Sequence, residues 1–340
     1  MKNIALKNQL IGIVILVCVS ATIIIAGEPN KTAPICNTTV LRDIQYGTIG
    51  DVNLYMNIVL PSPAPKKPVP VIMFIHGGGW QEGTREHGMA FAKWCAESEY
   101  IGATVEYRLT QQAPFPAQLQ DCKCAVRFLR ANAKKYMIDP CAIGVWGASA
   151  GGHLAAMLGL TDGIAEFEGS GGWPNISSSV QAVCDWFGPT DLALWVQTEQ
   201  RFGNDPNLCK PLGFPLETPQ RVSWARNFGN DPGLVLLLGA TTTDRPDRAK
   251  WASPISYVQK SINTPPFLIM HGDQDSWVPY QQSIILAEAL DKKSCDVTFI
   301  MLINSDHGLG RFTTAWPNHV KPFFDRVFGR NQSLCRTNPY

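Results

Sequence analysis

Net charge of one sign is what this chain most plainly lacks. Its 340 residues carry 29 Lys and Arg against 28 Asp and Glu, a net charge of +1. A surface so balanced offers no field to draw in nucleic acid or an anionic bilayer surface, and neither is expected as a partner. No internal repeat and no low-complexity tract interrupts the sequence, which sets aside solenoids and disordered tails. Zinc-finger spacing is missing too, because no second Cys or His pair follows Cys122-Lys123-Cys124 at a usable distance. At this length, with 45% hydrophobic residues, the chain can bury a sizeable core without needing disulfides to fold.

What is present begins at the N-terminus. Lys2 and Lys7 precede an uncharged, apolar run from Leu10 to Ala26, followed by Gly27-Glu28-Pro29. Residues 1–27 read as a secretory signal, with small residues at Ala26 and Gly27 for cleavage. The run is also close to the minimum for a spanning helix, so an uncleaved signal-anchor is the alternative, and the only membrane contact expected. Either way the body of the protein is expected outside the cytoplasm, as a secreted protein. Nine cysteines follow the signal: Cys36, Cys95, Cys122, Cys124, Cys141, Cys184, Cys209, Cys295 and Cys335. Several are expected to pair, with Cys36 and Cys335 as one candidate pair pinning the two ends, and an odd number leaves at least one thiol over. Acceptor triplets at Asn37, Asn175 and Asn331 fit a glycoprotein.

From Cys36 to Cys335 the chain reads as one domain. Residues 36–60 suggest a pair of strands, and a proline-rich link follows from Pro61 to Pro70. Strands are expected at Val71–Ile75, Ile101–Glu106, Ala142–Trp146, Val180–Cys184, Phe267–Met270 and Val297–Leu302. Helices are expected at Arg85–Ser98, Ala117–Tyr136, from Gly152 on, at Gln281–Lys292 and at Val320–Phe328. Continuous apolar strands alternating with helices mean a mostly parallel central sheet flanked by helices on both faces, an α/β fold. Residues 192–247 break the alternation. They are rich in aromatics, including Trp195, Phe202, Phe214, Trp224 and Phe228, and are expected to form a lid beside the site.

Gly147-Ala148-Ser149-Ala150-Gly151 puts a serine where a strand gives way to a helix. In a G-x-S-x-G elbow the turn is strained and crowded, so glycines stand two residues either side of an exposed nucleophile. Oxyanion donors have a source in His76-Gly77-Gly78-Gly79-Trp80, directly after an apolar strand. The backbone N–H groups of Gly78, Gly79 and Ala150 are the expected donors, and losing one such donor typically costs about 10²–10³ in turnover. The partners of Ser149 should follow it in the order acid, then His. Of six histidines, His271, His307 and His319 qualify by order. His307 lies on the loop after the last strand and is taken as the base. His319 is read as solvated at the opening of a terminal helix, His153 as packing behind the site, His76 as bracing the glycine loop, and His87 as a surface residue. Asp275 is the expected acid, with Asp273 as the fallback; Asp306 stands too close to His307, and Asp191 reads as a helix cap.

These motifs resemble one family. HGGGW (His76–Trp80), EYRL (Glu106–Leu109), APFPAQLQD (Ala113–Asp121), GVWGASAGGHLAAMLG (Gly144–Gly159), DWFGPTDL (Asp185–Leu192) and PPFLIMHGDQDSWVP (Pro265–Pro279) are similar to α/β-hydrolases of the hormone-sensitive-lipase-like branch. More closely, the chain resembles secreted bifunctional feruloyl and acetyl xylan esterases, from about Ile44 to Phe328. The resemblance implies the α/β-hydrolase fold and a serine carboxylesterase working through Ser149, Asp275 and His307 by an acyl-enzyme, with no metal or cofactor. It implies a small-molecule ester or an acylated polysaccharide as substrate and sets no oligomeric state. An amide hydrolase on the same fold and a non-catalytic binding protein that keeps the fold are the alternatives. Cys122, Cys124, Cys141 and Cys184 depart from the family pattern and suggest an unusual disulfide set.

Overall fold

Central apolar runs and a more polar N-terminal hairpin become the eight strands of one sheet in the computed structural model, which describes residues 38–194, 232–308 and 310–331. The strands are β1 (Thr38–Ile49), β2 (Val52–Pro61), β3 (Val69–Ile75), β4 (Ile101–Val105), β5 (Ile138–Ala148), β6 (Ala182–Trp186), β7 (Phe267–Gly272) and β8 (Val297–Leu302). Their spatial order is β1-β2-β4-β3-β5-β6-β7-β8. β1 and β2 form an antiparallel hairpin that turns at Gly50, whose φ of +56° suits glycine. β2 meets β4 antiparallel, and every later pairing is parallel. β4 and β6 are buried at every residue, as strands covered on both faces must be.

The helices are α1 (Met89–Glu97), α2 (Ala117–Ala131), α3 (Ala133–Tyr136), α4 (Ala150–Leu160), α5 (Pro232–Leu238), α6 (Pro246–Trp251), α7 (Gln281–Lys292) and α8 (Gly310–Asn331). One face of the sheet packs Leu119 and Phe128 of α2, Leu154 and Leu158 of α4, and Leu286 and Leu290 of α7. The other packs Phe91 and Cys95 of α1 against Trp146, Trp186 and the Phe324 and Phe328 rings of α8. Parallel strands point their carboxyl ends the same way, so the loops after β3, β5, β7 and β8 gather along one edge.

Several elements depart from the sequence expectation. The sixth strand lies two residues later, at Ala182–Trp186, because parallel pairing carries on through Gly147↔Asp185 and Ala148↔Trp186. The long helix breaks after Ala131, where Asn132 turns its side-chain amide back onto the Phe128 carbonyl at 2.9 Å. The last helix starts at Gly310, and His319 lies inside it rather than at its opening. Pro317-Asn318 resembles a start signal, but the first turn is already anchored by Phe312 against Trp186 and Phe187. The expected disulfide set is also corrected. Cys122, Cys124 and Cys184 are free, buried thiols, as is Cys95, while Cys141 is disulfide-bonded. Cys122 and Cys124 stand two residues apart on α2 and do not face each other, and Cys184 packs on the opposite face of the sheet. They fill core volume as small apolar side chains. The candidate pair Cys36–Cys335, the leader, and Trp195, Phe202, Phe214, Trp224 and Phe228 of the insertion lie outside the described residues. Among the described residues no helix is long and apolar enough to cross a membrane.

Candidate active site

Ser149 sits between the end of β5 and the start of α4 with φ +58° and ψ −123°. Side chains rarely occupy that region, and holding one there costs about 1–3 kcal/mol. The surroundings leave no alternative. Ser149 N donates to the Trp186 carbonyl at 2.8 Å, and its own carbonyl accepts from His153 N at 3.0 Å. A Cβ on Gly147 would collide with the Gly151 carbonyl, one on Gly151 with the Ile75 carbonyl, and one on Gly152 with Asp185 Oδ1. Close approach of backbone to backbone therefore fixes Gly147 and Gly151, and the Asp185 carboxylate fixes Gly152.

Three of the expected side chains converge across the sheet edge. His307 Nε2 lies 3.0 Å from Ser149 Oγ, and His307 Nδ1 lies 2.8 Å from Asp275 Oδ2. Asp275 Oδ1 accepts from the backbone N–H groups of Trp277 and Val278 at 2.9 and 2.8 Å. Burial by itself would raise the Asp275 pKa, but hydrogen bonds from His271 and His307 outweigh it and hold the carboxyl well below the usual carboxylate range. Asp273 is turned elsewhere, accepting from Ser305 N at 3.2 Å. Asp306 accepts from the backbone and hydroxyl of Ser276, and Asp191 accepts from Leu194 N at 2.8 Å. His271 is fully buried on the far side of Asp275. Its Nε2 lies 2.9 Å from the Val278 carbonyl and 3.2 Å from Asp275 Oδ2, and its Nδ1 lies 2.7 Å from Ser283 Oγ.

The glycine loop passes directly beside this group. A Cβ on Gly77 would come within 2.8 Å of the Ala148 carbonyl and 3.2 Å of Ser149 Cβ. Gly78, Gly79 and Trp80 all have positive φ, at +106°, +56° and +59°. Positive φ at three residues in a row bends the loop into a tight turn, and successive N–H groups in a turn can be presented to one anion. The Gly78 carbonyl is occupied by Gln81 N and Glu82 N at 3.0 and 3.1 Å. Ala150 opens α4, where N–H groups have no acceptor within the helix. His76 braces the loop: Nδ1 donates to the Gly77 carbonyl at 2.8 Å and the ring stacks on Tyr107. Burial lowers its pKa to about 4, against the opposing bond to Gly77. His87 is exposed, with Nδ1 accepting from Thr84 N at 3.0 Å.

Some neighbours carried no clear sequence signal. Phe187 packs edge-on against His307 with ring centroids 4.6 Å apart, and Trp277 stands 63% exposed with its ring 6.2 Å from His307. Arg108 grips the buried Asp121 with two nitrogens, and the same turn supplies Thr110 N to the Trp80 carbonyl at 2.9 Å. A separate groove of about 590 Å³ lies between Pro61–Pro70 and α8, against Val69 at the opposite end of β3 from the glycine loop.

The sequence pattern of the BD-FAE family matches residues 56–290. Esterase LipC of Mycobacterium tuberculosis is 30% identical over 290 residues, covering 82% of this chain and 64% of its own length. Esterase LipQ of the same organism is 28% identical over 308 residues, covering 87% of this chain and 66% of its own length. The chain thus spans just under two thirds of these curated relatives. Among solved structures, a truncated carbohydrate esterase from gut microbiota superimposes with a TM-score of 0.69 at 31% identity, covering 85% of this chain and 96% of that one. A bifunctional GH43-CE protein of Bacteroides eggerthii gives a TM-score of 0.67 at 29% identity, covering 85% of this chain and 38% of that one.

Proposed function

The chain belongs to the BD-FAE family and has its α/β-hydrolase fold, and from that premise we propose that it is a secreted serine carboxylesterase acting on carbohydrate esters of the acetyl xylan or feruloyl type. The observation that carries the reading is the continuous relay from Asp275 through His307 to Ser149, at 2.8 and 3.0 Å, beside a left-handed glycine loop. Extracytoplasmic location rests on the N-terminal apolar run read from the sequence.

The chemistry follows from the geometry. Ser149 Oγ attacks the ester carbonyl carbon while its proton passes to His307 Nε2. Asp275 accepts the Nδ1–H and stays ionised, so the imidazole keeps Nε2 free as acceptor and gains a counter-charge once protonated. Charge on the carbonyl oxygen is met by the N–H groups of Gly78, Gly79 and Ala150. When the C–O bond breaks, the alcohol oxygen takes the proton from His307 Nε2 and leaves the acyl group on Ser149. Water then gives a proton to His307 and attacks the acyl carbon, the acid departs, and Ser149 recovers its proton.

The test compares acetate release from acetylated xylan, ferulate release from methyl ferulate, fatty-acid release from a triglyceride emulsion and cleavage of an acyl anilide, for wild type and Ser149→Ala. Turnover of either carbohydrate-type ester, abolished in Ser149→Ala, is the expected result. A preference for the triglyceride or the anilide overturns the substrate class. Full activity of Ser149→Ala overturns the mechanism.

A further inference from the structure

His153 lies on α4, one helical turn past Ser149, and is wholly buried. Its Nδ1 is 3.2 Å from Trp80 Nε1, with the two rings edge to face at 88°. An indole N–H can only donate, so Nδ1 must accept and the ring proton must sit on Nε2. That nitrogen is 2.7 Å from the Ala252 carbonyl, which can only accept. Both contacts therefore demand one neutral tautomer. Burial lowers the pKa of His153 to about 4 against the opposing bond to Ala252, which keeps that tautomer at neutral pH.

The two partners belong to segments that matter. Trp80 directly follows Gly78 and Gly79, is itself left-handed and buried, and its indole is the side chain that closes the loop onto α4. Ala252 precedes Ser253, whose hydroxyl donates to the Ala249 carbonyl at 2.6 Å and accepts from Leu192 N at 2.8 Å. The carbonyl that His153 holds thus belongs to the stretch joining the two flanks of residues 192–247. Phe115 packs on the same imidazole and meets the Leu237 carbonyl through its backbone N–H at 2.8 Å.

We propose that His153 is a positioning residue for ester hydrolysis. Through Trp80 it fixes the N–H groups of Gly78 and Gly79 relative to Ser149, and through Ala252 it registers the base of the insertion on the same helix. The inference rests on the esterase reading and on the oxyanion role of the glycine loop. Two substitutions divide the two contacts: His153→Asn keeps an acceptor near the Nδ1 position, whereas His153→Gln keeps a donor near the Nε2 position.

The experiment measures kcat and KM on p-nitrophenyl acetate for wild type, Ser149→Ala, His153→Asn, His153→Gln, Trp80→Phe and the double variant Trp80→Phe/His153→Gln, with thermal melts of each. The expected result is a loss of kcat of about 30- to 300-fold in His153→Gln and Trp80→Phe at unchanged KM, a fraction to all of one oxyanion donor. His153→Asn should stay within about fivefold of wild type, and the double variant should be no worse than either single one, because the partners act as a unit. A kcat within threefold of wild type in both His153→Gln and Trp80→Phe overturns the inference. So does a loss that is equal in the Asn and Gln variants and tracks their melting temperatures. If either His153 variant fails to fold, Trp80→Phe against wild type decides by the same kcat and KM criterion. Inactive wild type, or a Ser149→Ala variant as active as wild type, overturns the esterase reading and this inference with it. Active wild type with normal positioning variants overturns this inference alone.

Discussion

Replacing Asp275 by Asn changes one atom and reverses a hydrogen-bond polarity that four groups depend on. Asp275 Oδ1 accepts from two backbone N–H groups, at 2.9 and 2.8 Å, while Oδ2 faces His307 Nδ1 at 2.8 Å and His271 Nε2 at 3.2 Å. An Asn amide has one acceptor oxygen and one donor nitrogen, so it can serve one side only. If the oxygen stays with Trp277 and Val278, the NH₂ group confronts His307 Nδ1–H. His307 then shifts its proton to Nε2, which faces Ser149 Oγ as a donor and can no longer take its proton. If the amide turns over, the NH₂ group meets the two backbone donors and the loop after β7 must move. Both outcomes disable the base. In serine enzymes built on this relay, loss of the correct tautomer costs about 10⁴ in kcat, or ~5.5 kcal/mol of transition-state stabilisation. The assay is kcat and KM on p-nitrophenyl acetate, with near-ultraviolet circular dichroism to show that the variant is folded. Asp273→Asn is the internal control, since Asp273 Oδ1 accepts from Ser305 N in the loop after β8 and faces away from His307. A folded Asp275→Asn enzyme within tenfold of wild type, or an Asp273→Asn enzyme equally impaired, refutes the assignment.

Three further outcomes follow. Lys123 is buried with Nζ on Thr161 O, Glu168 Oε1 and Ser178 Oγ at 2.9, 2.8 and 3.1 Å, so Lys123→Met should lower the unfolding free energy by about 3 kcal/mol, read as a fall in the urea midpoint. Burial lowers His76 and His153 to about 4 and raises Asp185 to about 6 despite the opposing bond from Gly188. Between pH 6 and 5 the unfolded chain therefore binds nearly two protons at the histidines that the folded chain does not, while folded Asp185 binds about one that the unfolded chain does not. Stability should fall by ~1.4 kcal/mol per unit as pH drops across that window, and roughly twice as steeply in Asp185→Asn; urea titrations at pH 6 and 5 check both slopes. Trp277→Ala removes a 63% exposed ring beside His307. On the carbohydrate reading it should lower kcat/KM for acetylated xylo-oligosaccharides by about 3- to 10-fold, worth ~1 kcal/mol of ring contact, and leave p-nitrophenyl acetate unchanged.

The sheet was legible because its central strands are short, largely apolar runs, as Val69–Ile75 and Ile101–Val105 illustrate. Boundaries were less so. Nothing local in Val180–Trp186 reveals that pairing with Gly147 and Ala148 carries the strand to its end, since register is a property of two strands together. The elbow and glycine loop were legible for a different reason. Their glycines answer to steric contacts, such as Gly151 against the Ile75 carbonyl, that admit no other residue. A place further into the loop favours Asp275 over Asp273, and the fold supplies the physical reason. Both follow the same strand, and only the turn that points Asp275 Oδ1 at Trp277 and Val278 leaves its other oxygen facing the His307 loop. Cysteine was misleading because residue type says nothing of facing: Cys122 and Cys184 line opposite sides of one sheet.

Histidine shows most clearly what the fold adds to the sequence. Four imidazoles surround the elbow, and position along the chain points to His307 without showing what disqualifies the other three. Their second nitrogens do. His153 has both nitrogens engaged, by Trp80 and Ala252, so it cannot take a proton without losing the bond from the Trp80 indole, and His271 is held between Ser283 and the Val278–Asp275 turn. His76 is committed through Nδ1 to the Gly77 carbonyl, and burial weakens both His76 and His153 as bases by lowering their pKa to about 4. A general base must hold its proton well enough to take it and must then return it to a departing group. His76, His153 and His271 are at most 1% exposed and are sealed from any alcohol or water. His307 keeps 15% of its side chain open, faces a hydroxyl through Nε2, and has its other nitrogen held by a carboxylate. Ser149 meets an imidazole that can exchange its proton with substrate because that imidazole alone, among the four, has an edge left over for it.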